Sequence, residues 1–207
     1  MAPILLGVAG FMLAFVFDWT SWRRVAYLKP IAGLATVATC VTALAWVLAD
    51  PARYNWPGWT ALAGWPLTVA GGLLLVYSLF IEIPFTQTYA RQGVGNHLIT
   101  TGTYALTRHP GVLWLGLGLL GLTLVSRGRL MLLAGIVWFV VDALYAWLQE
   151  VLLFDKMFPS YGDYRNRTPM LLPTAKSLAR CLRTLPRLQS TAQALITSST
   201  ERPSETP

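Results

Sequence analysis

Five long apolar blocks limit what this chain can fold into more than any motif it carries. They cover about residues 3–17, 31–49, 61–81, 111–125 and 130–148. The blocks are continuous and follow no amphipathic period, unlike the core stripe of a soluble helix. With 55% hydrophobic and 12% charged residues, the chain has too little polar surface to coat a soluble globule. In lipid, only helices and closed barrels satisfy their own backbone groups. The expected fold class is therefore all-α, a polytopic membrane helix bundle of about five transmembrane helices with a C-terminal cytoplasmic segment. The first and fourth blocks are short: about 15 residues give ~22 Å of helix against a ~30 Å hydrocarbon core. Trp19, Trp22, Trp56, Trp59, Trp65 and Trp147 stand at block ends, where amphipathic rings suit a headgroup boundary.

Charge sets the expected orientation. Arg23, Arg24 and Lys29 follow the first block, and Arg91 and Arg108 follow the third. The tail carries Lys156, Arg165, Arg167 and Lys176, whereas the loop after the second block holds only Arg53. Alternation then places the N-terminus outside and the tail in the cytoplasm, the inner-membrane arrangement in a bacterium. Arg127 and Arg129 are the one discord, in a tight turn assigned to the outside. The net charge of +7 lies in loops and tail, so contact with an anionic leaflet is expected and nucleic acid is not. Cys40 and Cys181 fit neither a disulfide framework nor a metal spacing. The N-terminus has no basic stretch and no small-residue cleavage site, so residues 3–17 read as a retained helix.

Three regions follow. Residues 1–60 form a two-helix membrane region, 61–173 a membrane core with the candidate site, and 174–207 a basic amphipathic segment with a tail. The loop from Glu82 to Pro110 is the longest on the inner side and holds both histidines, His97 and His109. Loops of that length between helices more often carry function than mere connection. Lys176, Arg180, Arg183 and Arg187 recur on one helical stripe, with Leu178, Leu182, Leu185 and Leu188 roughly opposite. That pattern predicts a basic helix lying on a membrane surface and bent or broken at Pro186. Ser, Thr, Pro and Glu dominate from Ser190, which predicts disorder.

The last two blocks make a hairpin whose outer ends must meet at one membrane face. Arg108-His109-Pro110 stands at one end and Gln149-Glu150 at the other. Proline suits the first helical position, and the helix N-terminus beside Arg108 makes a seat for an anion. The bland alternative is a helix cap with a snorkelling arginine. Glu150 can accept from hydroxyls or pair with a cation, or be an ordinary interfacial acid. Asp142 is costly inside an apolar block; with Tyr145 and Gln149 it shares a face expected to look into the bundle. Gly116-Leu-Gly-Leu-Leu-Gly121 fits a dinucleotide regex, but it lies in an apolar helix with no preceding strand, so close helix packing explains it better. Neither histidine has metal-ligand spacing, and no metal site is expected.

These pieces, in order, resemble the isoprenylcysteine carboxyl methyltransferase and phospholipid N-methyltransferase superfamily of integral membrane enzymes. The matching residues are Leu98, Gly102, Tyr104, Arg108, His109 and Pro110, then Glu150, Phe158, Tyr161, Tyr164, Pro169 and Pro173. The resemblance covers about residues 70–173. It implies S-adenosylmethionine bound at the cytoplasmic side of the last hairpin and a lipophilic acceptor arriving from the bilayer: an isoprenylcysteine-like carboxylate, a lipid headgroup, or a small thiol or amine. It assigns cofactor contacts to Tyr104, His109, Pro110, Gln149, Glu150, Tyr161 and Tyr164. Arg108 or Arg91 would orient an anionic acceptor. The chain departs from the family pattern at Val112, Gln149 and Pro159, where members usually carry Tyr, an acid and Gly, and at Gly102-Thr-Tyr104, where many have Gly-Pro-Tyr. Two other readings stand beside this one. One is a haem-associated bundle similar to the NnrU and carotene-isomerase group, with His109 as axial ligand. The other is a non-catalytic membrane interaction protein.

Overall fold

A computed structural model describes residues 1–23, 25, 27–83 and 98–185. Arg24, Arg91, His97 and everything from Pro186 onward, Arg187 and Leu188 included, lie outside the described residues. The described chain is helical throughout. The long elements are α1 (Ala2–Arg23), α2 (Leu28–Ala49), α3 (Trp59–Val76), α5 (Pro110–Ser126) and α6 (Arg129–Gln149). Short helices α4 (Thr103–Leu106), α7 (Asp155–Met157) and α8 (Tyr161–Arg167) flank the hairpin ends, and residues 175–185 are helical. Four stretches are long and apolar enough to cross a bilayer: Ala2–Arg23, Leu28–Ala49, Trp59–Glu82 and Arg129–Met157.

The first helix is longer than its apolar block. It runs for 22 residues, through Thr20, Ser21 and Arg23. The Thr20 and Ser21 hydroxyls donate to the Phe17 carbonyl at 2.9 and 2.8 Å, so these polar groups are satisfied within the helix where the apolar run has ended. The block ending near Phe17 therefore gives a full span of ~33 Å rather than a short one. α5 does stay short, at 17 residues or ~25 Å. Two of the others end in π-helical turns: Tyr77–Glu82 continues α3 and Glu150–Phe154 continues α6. Such widened turns commonly mark functional positions, and here each carries a buried glutamate, Glu82 or Glu150.

α1 packs on α2, α3 on α5, and α6 on both α5 and α1. The centre holds Ile4, Ala43, Val47, Leu119, Met131, Ala134 and Trp138, and the Trp138 indole donates to the Ile4 carbonyl at 3.0 Å. α3 and α5 meet backbone to backbone. A Cβ on Gly71 would stand 2.5 Å from the Gly118 nitrogen, and one on Gly64 would stand 2.7 Å from the Gly121 carbonyl oxygen. The glycines of the rejected dinucleotide regex thus serve close packing, the usual means of helix association where no water drives it. Leu34, Leu62, Leu73, Ile136 and Leu144 face outward; on a soluble protein so much apolar surface would aggregate, but a bilayer covers it.

The two arginines of the turn between α5 and α6 are tied down. Arg127 donates to the Trp56 carbonyl at 3.1 Å, and the Arg129 guanidinium lies 5.5 Å from the Tyr54 ring centroid. Main-chain bonds Tyr54 to Arg127 (2.7 Å) and Arg129 to Ala52 (3.0 Å) dock the turn on the loop after α2. These arginines hold two loops together.

Candidate functional site

The site grows from the two ends of the α5–α6 hairpin. α4 stops at Thr107, whose backbone is extended, and His109 then caps α5 with Pro110 at its first position. Proline needs no partner there and its ring suits the helical φ. It is also fully buried, so Arg108 and His109 are fixed in direction. At the opposite end, the π-helical turn that begins at Glu150 lets its carboxylate swing toward them.

The three side chains meet. Arg108 Nε donates to Glu150 Oε1 at 2.8 Å and Nη2 to Oε2 at 3.0 Å, a two-pronged pair. His109 Nε2 lies 2.9 Å from Glu150 Oε1. The Arg108 and Glu150 side chains are only 10% and 7% exposed, so this pair is little screened by water. The remaining Arg108 nitrogen, Nη1, donates to the carbonyls of Arg165 (2.9 Å) and Thr168 (3.3 Å). Main-chain bonds from Arg108 to Pro169 and from His109 to Met170, at 2.9 and 3.2 Å, fasten the segment after α8 over the cluster.

An aromatic chain closes the other side. The His109 ring stacks on Phe154 with centroids 5.7 Å apart. Phe154 in turn meets Phe158 and Tyr161 edge-on, and Tyr161 meets Tyr164. Tyr164 donates from its hydroxyl to the Tyr104 carbonyl at 2.7 Å, and the Tyr104 hydroxyl donates to the Ser78 carbonyl at 3.3 Å. Tyr161 is 1% exposed, and its hydroxyl faces Glu150 without a hydrogen bond of ordinary geometry. Burial, and then the neighbouring Glu150 carboxylate, push the Tyr161 phenol far above its usual range. Burial does the same to Tyr164, with Arg108 partly opposing it. Both phenols therefore stay protonated through neutral pH. The Thr107 hydroxyl is likewise buried without a partner. A cavity of about 860 Å³ opens on the Arg108 side, between residues 165–170 and the helix at 175–185.

The fold thus brings together Tyr104, Arg108, His109, Pro110, Glu150, Tyr161 and Tyr164 of the sequence-predicted set. It sends Gln149 elsewhere. The Gln149 amide donates to Asp18 Oδ2 at 2.6 Å and to the Tyr145 hydroxyl at 3.0 Å, and Tyr145 donates to the same Asp18 oxygen in a very short bond. One residue along a helix turns a side chain by about 100°, so adjacent Gln149 and Glu150 serve different faces. The expected inward face of Asp142, Tyr145 and Gln149 is seen: Asp142 is buried, and Tyr145 and Gln149 reach Asp18 of α1. Arg91 lies outside the described residues.

Two acids escaped the sequence reading. Asp18 anchors the Gln149–Tyr145 pair, with Lys29 acting on it electrostatically. Glu82 accepts from the Thr103 main-chain N–H at 2.8 Å and from the Thr103 hydroxyl in a very short bond, holding the first turn of α4. The available signal was an acid at the last turn of an apolar run, where a carboxylate rarely stands without a partner. Among the described residues, no three His, Cys, Asp or Glu side chains gather as metal ligands.

No curated protein and no solved structure matches the chain. Residues 59–160, from the start of α3 to the residue before α8, match the family model described as phospholipid methyltransferase. That segment contains α5, α6 and the whole Arg108–His109–Glu150 cluster. By this match the chain belongs to the phospholipid methyltransferase family, within the larger group of membrane methyltransferases.

Proposed function

We propose that this protein is an S-adenosylmethionine-dependent methyltransferase that binds its cofactor against the Arg108–His109–Glu150 cluster and methylates a lipophilic acceptor drawn from the bilayer. The observation that carries the reading is the buried Arg108–His109–Glu150 cluster itself, set within the family segment and faced by the buried Tyr161 hydroxyl, which among the described residues has only Glu150 beside it and no hydrogen bond of ordinary geometry. Buried polar atoms are nearly always well paired, so a hydroxyl held off-geometry beside a carboxylate suits a ligand atom shared between the two. The residues fit the cofactor: it has hydroxyls and amines for Tyr161 and Glu150, and a cation for the aromatic chain. Bound there, it would supply a methyl group already activated on a sulfonium.

The protein's own part is then positioning and exclusion of water. Arg108 and His109 hold the Glu150 carboxylate in one orientation. Because every nitrogen of Arg108 is committed to Glu150 or to a carbonyl, we assign it to positioning Glu150 and not to gripping an acceptor. The faces of Phe154, Phe158, Tyr161 and Tyr164 offer electron-rich surface to a sulfonium. Gln149, turned toward Asp18, steadies α1 against α6. In this reading the site opens to the cytoplasm, the side on which Arg23, Lys29, Arg108, Lys156 and the basic tail cluster.

Calorimetric titration of detergent-purified protein with S-adenosylmethionine tests the proposal. Wild type should bind, and Tyr161→Phe and Glu150→Gln should each bind at least tenfold more weakly while remaining folded. Tyr161→Phe removes a single oxygen and keeps the ring, so it perturbs the packing least. A folded wild type that does not bind, or two variants that bind as wild type does, would overturn the assignment.

A further inference from the structure

We propose that the cavity between residues 165–170 and the helix at 175–185 is a binding site for the phosphate headgroup of an anionic phospholipid. The site does not depend on methyl transfer. Six of the lining side chains are cations, Arg108, Arg165, Arg167, Lys176, Arg180 and Arg183, and among the described residues no acid lines it. Arg108 is committed to Glu150, and Arg165 pairs with Asp155 at 3.2 Å in an exposed bridge. Arg180 gives one nitrogen to the Arg167 carbonyl and keeps its Nε buried without a partner. Arg167, Lys176 and Arg183 make no hydrogen bond or ion pair with any described residue. Like charges focused by the walls of one concavity repel each other, and an anion relieves that repulsion while filling the orphaned Arg180 donor. At about 860 Å³ the space accepts a headgroup with its glycerol.

The flanks favour a lipid over a free phosphate. Leu172, Leu178 and Leu182 are 80%, 49% and 61% exposed on the same segment. Leu178 and Leu182 are one helical turn apart and share a face, while Lys176, Arg180 and Arg183 turn to the cavity. A helix with leucines on one face and cations on the other lies in a membrane interface, acyl chains beside the leucines and headgroups beside the cations. Leu185 and Cys181 hold this helix against Ala105 and Leu106, so the cavity is fixed to the bundle close to α5.

The test is calorimetry on the full-length protein in a neutral detergent, titrated with dioctanoyl phosphatidylglycerol, dioctanoyl phosphatidylcholine or inorganic phosphate. Phosphatidylglycerol should bind saturably and more weakly as salt rises. Lys176→Gln/Arg183→Gln, at two positions outside the methyltransferase cluster, should weaken it by roughly 25-fold, about fivefold per cation. The same double variant should titrate with S-adenosylmethionine as wild type does, which separates this site from the proposed cofactor site. Equal binding of phosphatidylcholine, or unchanged affinity in the double variant, would overturn the proposal. Inorganic phosphate binding as tightly as the lipid would overturn the lipid assignment, and competition by S-adenosylhomocysteine would give the cavity to the cofactor instead.

Discussion

Replacing Glu150 by alanine should destabilise this protein far more than a typical surface change, and the geometry gives the size. The carboxylate takes two Arg108 donors and one His109 nitrogen, at 2.8, 3.0 and 2.9 Å. Glu150→Ala leaves a buried guanidinium with two N–H groups unpaired, because only Nη1 keeps its carbonyls. Orphaning half of a buried ion pair costs ~3–5 kcal/mol. Arg108 borders the cavity at Thr168 and Pro169, and water entering there would bring the cost to the lower end, ~3 kcal/mol. Arg108→Met should cost a similar amount, since it strands the carboxylate. The double variant removes both charges and should lose much less than the sum of the singles, with a coupling of ~2 kcal/mol or more. Denaturant titrations in mixed micelles, followed by far-ultraviolet circular dichroism, measure all three. A loss under ~1 kcal/mol for either single variant, or strict additivity in the cycle, would mean that the pair does not organise the hairpin ends.

Four further outcomes follow from the same coordinates. Gly102 has φ of 61° while its N–H donates to the Thr184 hydroxyl at 2.9 Å, which holds the backbone in that conformation; Gly102→Ala should cost ~1 kcal/mol and raise protease cleavage near α4. Gly71→Leu should separate α3 from α5 and lower the melting temperature sharply, whereas Gly72→Leu, with open space at its Cβ, should be nearly silent. Asp18→Leu should free Gln149 and Tyr145 and cost ~2 kcal/mol, two hydrogen bonds to a half-buried acid, read by the same denaturant titration. Finally, Tyr161 and Tyr164 hold their protons more tightly folded than unfolded. The sign follows: stability is fully present below the unfolded phenol value of ~10 and falls as pH rises beyond it. Tyr161→Phe should flatten that alkaline fall, and an unchanged slope would refute the burial of its hydroxyl.

Much of the architecture was legible from the chain alone. Continuous apolar runs have one stable state in lipid, because backbone groups there must bond within their own segment. That fixes the helix number and positions, and a tight turn fixes the α5–α6 hairpin that brings Arg108 and His109 to Glu150. Helix length was less legible. α1 outruns its apolar block through Thr20 and Ser21, whose hydroxyls are satisfied by the Phe17 carbonyl, a local pairing that hydropathy does not record.

What only the tertiary structure decided is the partner of each polar side chain. Gln149 and Glu150 are neighbours in sequence and read alike, yet one faces α1 and the other α5, since the helical rotation of ~100° per residue is converted to a destination by whatever packs there. Asp18 and Glu82, which the sequence reading passed over, gain their roles only where α6 and α4 come to rest against them. The same holds for the basic stripe of the tail: the sequence determined that Lys176, Arg180 and Arg183 share one face, but not that the segment from Arg165 to Met170 folds over to make a cavity of it. Periodicity and hydropathy are properties of one segment in its solvent and can be read from order alone. Pairing is a property of two segments and waits on the fold.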